Sequence, residues 1–236
     1  MRILPVILFN TLFYLALTLG MILILPLFIF SRRLVGLALK GLIYVTIALQ
    51  FLFGLRVVFR GKENIPKGGC LVASKHQSMW ETFMLSPLFY DPGYVYKREL
   101  EKIPLFGAYL RKFDMVPIDR DGRASALRDM TRITARKLGE GRQIIIFPEG
   151  TRREPGAPPD YKTGIALLYA AANVPVVPVA LNSGVYWSKY LWRGKPGRLV
   201  VDILPPIPPG LPRDEFMARL QTQLEAAADK LFEGKN

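Results

Sequence analysis

The chain is poor in cysteine and histidine, with one of each, Cys70 and His76, among 236 residues. A single cysteine excludes an internal disulfide and favours a reducing compartment. One cysteine and one histidine are too few for a zinc site of the usual His/Cys type, so no metal site is predicted. Cys70 opens an apolar run and is predicted to lie in the core.

Acidic residues are scarce, and none occurs in the first 57 residues. The whole chain has 32 Lys and Arg against 19 Asp and Glu, a net charge of +13. This excess favours an anionic partner: nucleic acid, an anionic membrane or a phosphorylated substrate. The chain has no recognition-helix signature, zinc finger or RNP-like motif, so a nucleic-acid partner is not predicted.

Charge of either sign is missing from residues 3–31, a run longer than the roughly 20 residues that cross a bilayer as a helix. No small-residue cleavage site follows it, which argues against a signal peptide. Two arginines end the run, and a second uncharged run of 15 residues covers 41–55. We therefore predict a two-helix membrane anchor over residues 1–57 and a separate domain over residues 58–236.

Three arrangements of this anchor are open. Two complete spans would place Arg32 and Arg33 on the outer side, against the positive-inside tendency. A single span requires the N-terminus with Arg2 to cross. Helices over about 3–30 and 34–57 that dip into one leaflet as a hairpin avoid both costs. The five cations of this segment then reach anionic head groups, each contributing about 1 kcal/mol, so we favour the hairpin.

Three common enzyme motifs are absent: the G-x-S-x-G nucleophile elbow, the P-loop and G-x-G-x-x-G. Their absence argues against the usual α/β-hydrolase, a nucleoside triphosphatase and a dinucleotide enzyme. Any chemistry in this chain must therefore come from other residues.

Beyond residue 57, short apolar runs alternate with helical patterns. The runs predicted as strands are 70–75, 93–98, 115–120, 142–147, 174–181 and 198–204. Helical spacing covers 126–138, 162–172 and the segment from about Asp214. Such alternation predicts an α/β fold with a largely parallel or mixed sheet covered by helices. Pro117 in the third run indicates a strand end or an edge strand.

His76 lies in SKHQSMWET, between a predicted strand and a helical pattern, with Glu81 five residues later. Residues five apart on a regular helix point about 140° apart. The two side chains meet only if His76 precedes the helix and Glu81 lies in its first turn, which the local pattern favours. A histidine paired with a carboxylate can remove a proton from an attacking hydroxyl. The alternative is structural: Ser78 and Glu81 form an S-x-x-E capping box, and His76 is an ordinary loop residue.

Cations follow several predicted strands. Lys97 and Arg98 end the second run, Arg120 ends the third, and Arg152 follows the fourth in FPEGTR. In that stretch Gly150 allows a ligand to approach the backbone closely. Because arginine pairs bidentately with phosphate, the set is consistent with a phosphate site at one edge of the sheet. Each cation alone is better explained as a solvated strand end or a local ion pair.

Four stretches, KHQSMWE, MVPIDR, FPEGTR and VPVVPVAL, have the order and spacing of the motif blocks of the glycerolipid (lysophospholipid) acyltransferases. The chain resembles this family, which includes 1-acyl-sn-glycerol-3-phosphate acyltransferases, over about residues 58–205. The resemblance implies a glycerol-3-phosphate acyltransferase-like fold and an acyltransferase catalytic domain. It implies acyl transfer from acyl-CoA or acyl carrier protein to the sn-2 hydroxyl of lysophosphatidic acid, giving phosphatidic acid. It also implies the bacterial inner (cytoplasmic) membrane, with the catalytic domain on the cytosolic face.

By the same resemblance, His76 is the general base and Glu81 is the carboxylate that orients it. The implied acceptor- and phosphate-binding residues are Lys97, Arg120, Glu149, Gly150, Thr151 and Arg152. Pro178 is implied to shape the site. No metal, no bound cofactor and no covalent enzyme intermediate are implied. The implied partners are membrane phospholipids, lysophosphatidic acid and the thioester donor, without nucleic acid.

Glu81 departs from the family pattern, which has Asp at this position. The extra methylene lengthens the reach by about 1.5 Å, which a small loop shift accommodates. The departure leaves the acceptor head group open. One alternative acceptor is another lysolipid, such as lyso-ornithine lipid or lysophosphatidylglycerol. Another alternative is a non-enzymatic, basic membrane-surface protein that binds anionic lipid.

Overall fold

The computed structural model describes residues 3–119, 123–187 and 194–233. The strands in these residues are β1 (Leu55–Arg60), β2 (Cys70–Ser74), β3 (Pro92–Lys97), β4 (Val116–Ile118), β5 (Gln143–Ile146), β6 (Val176–Leu181) and β7 (Gly197–Ile203). The α-helices are α1 (Ile3–Ile24), α2 (Arg32–Leu52), α3 (Trp80–Met84), α4 (Pro104–Lys112), α5 (Arg123–Gly139), α6 (Gly164–Ala172), α7 (Ser183–Tyr186) and α8 (Arg213–Glu233). Each of the six runs predicted as strands contains one, and the three predicted helical patterns are α5, α6 and α8.

The strands form one mixed sheet in the order β1-β7-β6-β2-β5-β3-β4. β6, β2, β5, β3 and β4 run parallel, β7 is antiparallel to β6, and β1 is parallel to β7. The register places Val72 of β2 beside Ile145 of β5 and Val177 of β6. β4, which contains Pro117, lies at the edge, as its proline predicts. The predicted α/β fold with a mixed sheet is confirmed.

Different helices cover the two faces of the sheet. Alternate residues of a strand point to opposite faces. In β2, Cys70 and Val72 belong to one hydrophobic cluster, while Leu71 and Ala73 belong to the other. The first cluster includes side chains of α1 to α4, and the second includes those of α5, α6 and α8. Cys70 is fully buried, which confirms its predicted place in the core, and burial raises the pKa of its thiol to about 12.

The second N-terminal helix is shorter than predicted. The apolar run predicted a helix over 34–57, but α2 ends at Leu52 and β1 begins at Leu55. Gly54 lies between them with φ of +80°, a left-handed conformation that ends the helix. Leu55 then pairs with Gly197 of β7. The predicted helix was too long because the half-buried strand β1 continues the apolar run of α2 without a polar residue between them. The division of the chain at residue 57 stays a prediction.

The N-terminal helices have an apolar outer surface. Leu23, Ile29 and Leu37 are each more than two-thirds exposed. Val6–Ile29 and Arg32–Leu52 are long and apolar enough to cross a membrane, by length and composition. Because exposed apolar surface of this extent is unfavourable in water, it supports association of the chain with a membrane.

Buried polar contacts join the N-terminal helices to the rest of the protein. Trp80 of α3 donates its Nε1–H to Oε1 of Gln50 in α2 at 2.8 Å. The hydroxyl of Tyr109 in α4 donates to the backbone carbonyl of Met21 in α1 at 2.7 Å. An unpaired buried polar group is costly, so these contacts fix where the two helices lie against α3 and α4.

Candidate active site

The loop between β2 and α3 carries His76. β2, β5 and β6 are parallel neighbours, so their carboxyl ends meet at one edge of the sheet. Ligands of open α/β sheets bind at this edge. α3 begins at Trp80, so His76 precedes the helix and Glu81 lies in its first turn, as predicted.

His76 and Glu81 are directly hydrogen-bonded, with Nδ1 of the imidazole 3.0 Å from Oε1 of the carboxylate. An ionised carboxylate only accepts, so Nδ1 carries the hydrogen and Nε2 of the neutral ring is left able to take a proton. The Glu81 side chain is fully buried, whereas that of His76 is 16% exposed and lines a cavity. This is the geometry of a general base held by a carboxylate.

Four further hydrogen bonds hold the Glu81 carboxylate. Oε1 accepts the backbone N–H groups of Gln77 at 2.6 Å and Ser78 at 2.7 Å. Oε2 accepts the hydroxyls of Ser78 and Ser183, each at 2.7 Å. Burial by itself would raise the pKa of this carboxyl. The hydrogen bond and charge of His76, together with the hydrogen bonds from Ser78 and Ser183, have the larger combined effect, so the pKa lies below its ordinary value.

The contacts of Glu81 are consistent with both the capping-box and the catalytic interpretations. The bond from the Ser78 N–H is the contact that a capping box predicts, and the Ser78 hydroxyl accepts the Trp80 N–H at 3.0 Å. The same carboxylate contacts His76. The sequence presented the two as alternatives, but a carboxylate has about four lone-pair sites and can fill both roles at once.

The FPEGTR stretch and the residue after it hold the backbone of His76. The His76 N–H donates to Oε2 of Glu149 at 2.9 Å, and the His76 carbonyl accepts the Arg153 N–H at 2.8 Å. The imidazole ring stacks on Phe147 with ring centroids 4.0 Å apart. The third motif block therefore positions the side chain that the first block supplies.

Glu149 belongs to a buried ion network. Its Oε1 lies 2.7 Å from Nζ of Lys75, which lies 2.8 Å from Oε1 of Glu225 in α8. The Tyr161 hydroxyl also donates to Glu225, and burial followed by this bond raises the pKa of Tyr161. Removing one partner of such a network leaves an uncompensated buried charge, so the network ties α8 to the loop of His76. A direct contact of Glu149 with an acceptor stays a prediction.

A cavity of about 960 Å³ joins this site to the N-terminal helices. Its apolar wall includes Leu17 and Met21 of α1 and Leu37 and Ile43 of α2. His76, Lys97, Glu149, Gly150, Thr151 and Lys162, which follow or end strands β2, β3 and β5, also line it. Charged residues of α2 and the segment before β3 line it too, namely Arg32, Arg33, Lys40 and Asp91. A largely apolar space with a few polar groups is typical of a ligand site.

The remaining predicted site residues lie in different places. Lys97 lines the cavity, as a phosphate contact requires. Arg152 is exposed and is not one of the described residues that form the cavity wall. Pro178 lies inside β6 beside Ala73 of β2 and is also not part of that wall. Arg120 lies outside the described residues.

Sequence reasoning missed three residues that support the dyad: Lys75, Arg153 and Ser183. Ser183 had a weak local signal, because Asn182 and Ser183 follow the fourth block and both residue types are common at helix starts. Lys75 adjoins His76 in the chain, but only the fold brings Glu225 to it. Arg153 contacts His76 through its backbone N–H, which every residue except proline has, so the residue type gives no sequence signal.

The family model described as Acyltransferase matches residues 56–182, more than half of the chain. A 1-acyl-sn-glycerol-3-phosphate acyltransferase of Pseudomonas aeruginosa is 41% identical over 152 residues, which cover 64% of this chain and 59% of that protein. The 1-acyl-sn-glycerol-3-phosphate acyltransferase alpha of Ovis aries is 31% identical over 186 residues, which cover 76% of this chain and 64% of that protein. The chain thus spans less than two-thirds of the length of these curated relatives.

A solved structure has the same fold. The crystal structure of the 1-acyl-sn-glycerophosphate (LPA) acyltransferase PlsC from Thermotoga maritima matches with a TM-score of 0.83 over 98% of both chains, at 24% sequence identity. The region that matches the family model contains His76, Glu81 and all four motif blocks. On this match, and with the fold and dyad described above, the chain belongs to the acyltransferase family.

Proposed function

We propose that the protein transfers an acyl group from acyl-CoA or acyl carrier protein to the sn-2 hydroxyl of lysophosphatidic acid, giving phosphatidic acid. The observation that carries the proposal is the imidazole of His76, which is bonded to buried Glu81 on one nitrogen and lines a largely apolar cavity. The names of the two relatives, 1-acyl-sn-glycerol-3-phosphate acyltransferases, support this acceptor.

In this mechanism, Nε2 of His76 takes the proton of the acceptor hydroxyl while the oxygen bonds to the thioester carbonyl carbon. The negative charge of Glu81 stabilises the imidazolium that forms. The tetrahedral intermediate then collapses, the C–S bond breaks, and the proton passes from Nε2 to the leaving sulfur. No enzyme atom becomes acylated. Because the thioester is already activated, the step calls for no resident metal or cofactor.

The part of the cavity near His76 is the proposed place of the acceptor phosphate. In this proposal Lys97 and Lys162, which pair with Glu99 and Asp160 in the structure, turn to the phosphate, and Gly150, with φ of +67°, permits close approach of its backbone. By the family resemblance, further contacts come from Arg120, Thr151 and Arg152. An arginine in such a site adds a bidentate contact that lysine cannot make.

The apolar part of the cavity is the proposed place of an acyl chain. Its wall is formed partly by α1 and α2, whose outer surface is apolar. A lysolipid can therefore reach His76 from the membrane without leaving its leaflet. This arrangement suits a non-crossing hairpin, in which residues 1–57 form the anchor and residues 58–236 the catalytic domain.

The proposed location is the cytosolic face of the bacterial inner membrane. Acyl-CoA and acyl carrier protein are cytosolic, so the site that uses them must face the cytosol. The positive charge of the anchor segment suits the anionic lipids of that face.

A panel of acceptors tests the proposal. The purified protein in detergent would be assayed with one acyl-CoA and lysophosphatidic acid, lyso-ornithine lipid or lysophosphatidylglycerol, following release of free CoA. The highest kcat/KM is expected with lysophosphatidic acid. A higher value with another lysolipid would reassign the acceptor. Binding of anionic vesicles without turnover of any acceptor would establish the non-enzymatic alternative.

A further inference from the structure

Among the described residues, Ser183 is the one hydrogen-bond partner of Glu81 that comes from outside the loop and helix carrying Glu81. It opens α7, separated from the end of β6 by one residue, and is fully buried. Its hydroxyl donates to Oε2 of Glu81 at 2.7 Å across 102 residues of sequence. The described donors on Oε2 are this hydroxyl and that of Ser78, whereas the donors on Oε1 are all N–H groups.

The Oε2 contacts decide the orientation of the carboxylate plane. The last torsion of a glutamate side chain, χ3, has only a broad preference, so the side chain by itself does not fix the plane of its carboxylate. Ser78 alone is a weaker constraint, because its hydroxyl also lies 3.2 Å from the Ser183 hydroxyl and accepts the Trp80 N–H. Without Ser183, the remaining described partner of Oε2 is the Ser78 hydroxyl, which also accepts the Trp80 N–H.

The close packing of α7 fixes the place of Ser183. The N–H of Gly184 donates to Oε1 of Gln77 at 3.1 Å. A Cβ on Gly184 would lie 2.9 Å from Cβ of Gln77 and 3.0 Å from the Pro155 ring, so this approach requires glycine. The first turn of α7 is thereby held against the loop that carries His76.

The far end of α7 packs on the membrane helix α1. Trp187, directly after α7, is almost fully buried, and its N–H donates to the Ser183 carbonyl at 2.7 Å. Its indole ring lies 4.6 Å from the ring of Phe13 and 5.4 Å from that of Phe9, centroid to centroid. Its Nε1–H donates to the Tyr14 hydroxyl at 3.4 Å. α7 thus lies between α1 and the dyad.

We propose that α7 is a positioning element for the dyad. Ser183 fixes the Glu81 carboxylate, and Trp187 fixes α7 against α1. The position of α1 therefore affects the orientation of His76 through α7 and Glu81. The kinetic part of this inference rests on the proposed acyl transfer. The structural part concerns the tautomer of His76 and does not depend on the substrate.

The test uses the fact that His76 is the only histidine, so the imidazole ¹⁵N signals of histidine-labelled protein belong to this residue, and only Nδ1 and Nε2 have to be distinguished. In the wild type, the neutral ring should carry its hydrogen on Nδ1. In Ser183→Ala the share of the Nε2–H tautomer should rise. kcat should fall about 10- to 100-fold, as for loss of one hydrogen bond to a charged group, with KM unchanged. Thr131→Ala, which removes a hydroxyl bonded to the Leu127 carbonyl in α5, should change neither quantity.

Two further variants make the test decisive. Ser183→Cys enlarges the side chain slightly and keeps a weak donor, so its values should lie between those of wild type and Ser183→Ala. It replaces the alanine variant in the test if that variant does not fold. Trp187→Leu should shift the tautomer in the same direction, and its effect should be non-additive with that of Ser183→Ala. The matched control is Phe53→Leu, which removes another aromatic contact of Phe9, with ring centroids 4.4 Å apart, and should leave the tautomer unchanged.

Each outcome has a distinct meaning. Unchanged tautomer and kcat in the Ser183 variants, with normal turnover in the wild type, would overturn the inference and leave the proposed function standing. Additive effects of Ser183→Ala and Trp187→Leu would overturn the link through α7. A wild type that acylates no lysolipid would refute the proposed function, and the tautomer measurement would still decide the inference.

Discussion

Glu81→Gln isolates the charge of the buried carboxylate from its hydrogen bonds. The donors on Oε1 are the backbone N–H groups of Gln77 and Ser78, which cannot act as acceptors, and Nδ1–H of His76. The two backbone donors require an acceptor at this position, and an acceptor there also favours the Nδ1–H tautomer of His76. The donors on Oε2 are the hydroxyls of Ser78 and Ser183, which can rotate and accept instead. A glutamine therefore fits with its oxygen toward the N–H groups and its amide nitrogen toward the hydroxyls, and the shape of the site is kept.

The expected loss of activity follows from the charge alone. In the proposed mechanism the His76 ring becomes an imidazolium in the transition state, with its Nδ1 3.0 Å from the Glu81 oxygen. Two unit charges about 4 Å apart interact by about 4 kcal/mol at an effective dielectric constant of about 20. At about 1.36 kcal/mol per factor of ten, the turnover of Glu81→Gln should fall roughly a thousandfold. The free energy of unfolding should fall by less than about 2 kcal/mol, because relief of the buried charge offsets the weaker hydrogen bonds.

The assay pairs initial rates of CoA release with thermal melts followed by tryptophan fluorescence. Glu140→Gln is the matched control, since it changes an exposed glutamate directly after α5, away from the site. Turnover of Glu81→Gln within tenfold of wild type, with only a lower melting temperature, would show that the carboxylate acts as a helix cap alone. Unfolding of the variant at neutral pH would show that the proposed rotation of the hydroxyls does not occur.

Three further predictions concern the pH dependence of Glu81, the role of Arg152 and the arrangement of the anchor. The folded-state pKa of Glu81 lies below its ordinary value of 4.5, so its stabilising effect is present above that pH and is lost as the pH falls. The gap in melting temperature between wild type and Glu81→Gln should therefore narrow below about pH 4.5, and a constant gap would contradict the assignment. Arg152→Ala should raise KM for the acceptor about tenfold, more than for acyl-CoA; a defect confined to acyl-CoA saturation would place Arg152 at the donor. Ser31→Cys in intact cells should not react with an impermeant thiol reagent if the anchor is a non-crossing hairpin, whereas labelling would establish two spans. Cys70, buried and with its pKa raised to about 12, should not interfere.

The sequence predicted those parts of the fold that leave a local pattern. β2, β5 and β6 were recognisable because a strand buried on both faces is a continuous apolar run. Pro117 indicated a strand end or an edge strand, and β4 lies at the edge of the sheet. The same rule would have misplaced β6, a central strand that contains Pro178. The pairing of His76 with Glu81 was also local, since it needed only a loop followed by the first turn of a helix.

The parts that could not be predicted depend on contacts between distant segments. Nothing in the β7 sequence shows that it runs antiparallel to β6. The end of α2 depends on Gly54, a single residue within a longer apolar run. Ser183 reaches Glu81 and Glu149 reaches Lys75 only after the sheet has brought their strands together. The residues that hold His76 and Glu81 in place are therefore recognised only in the folded protein, whereas the pair itself can be recognised in the sequence motif.

The most direct test of the account is the rate of acyl transfer from acyl-CoA to lysophosphatidic acid by purified wild type and His76→Ala. Loss of the general base should lower kcat by about 10²- to 10⁴-fold, while the protein still gives a cooperative thermal melt. Near wild-type turnover by a folded His76→Ala would contradict the central claim that the imidazole of His76 takes the proton of the attacking hydroxyl.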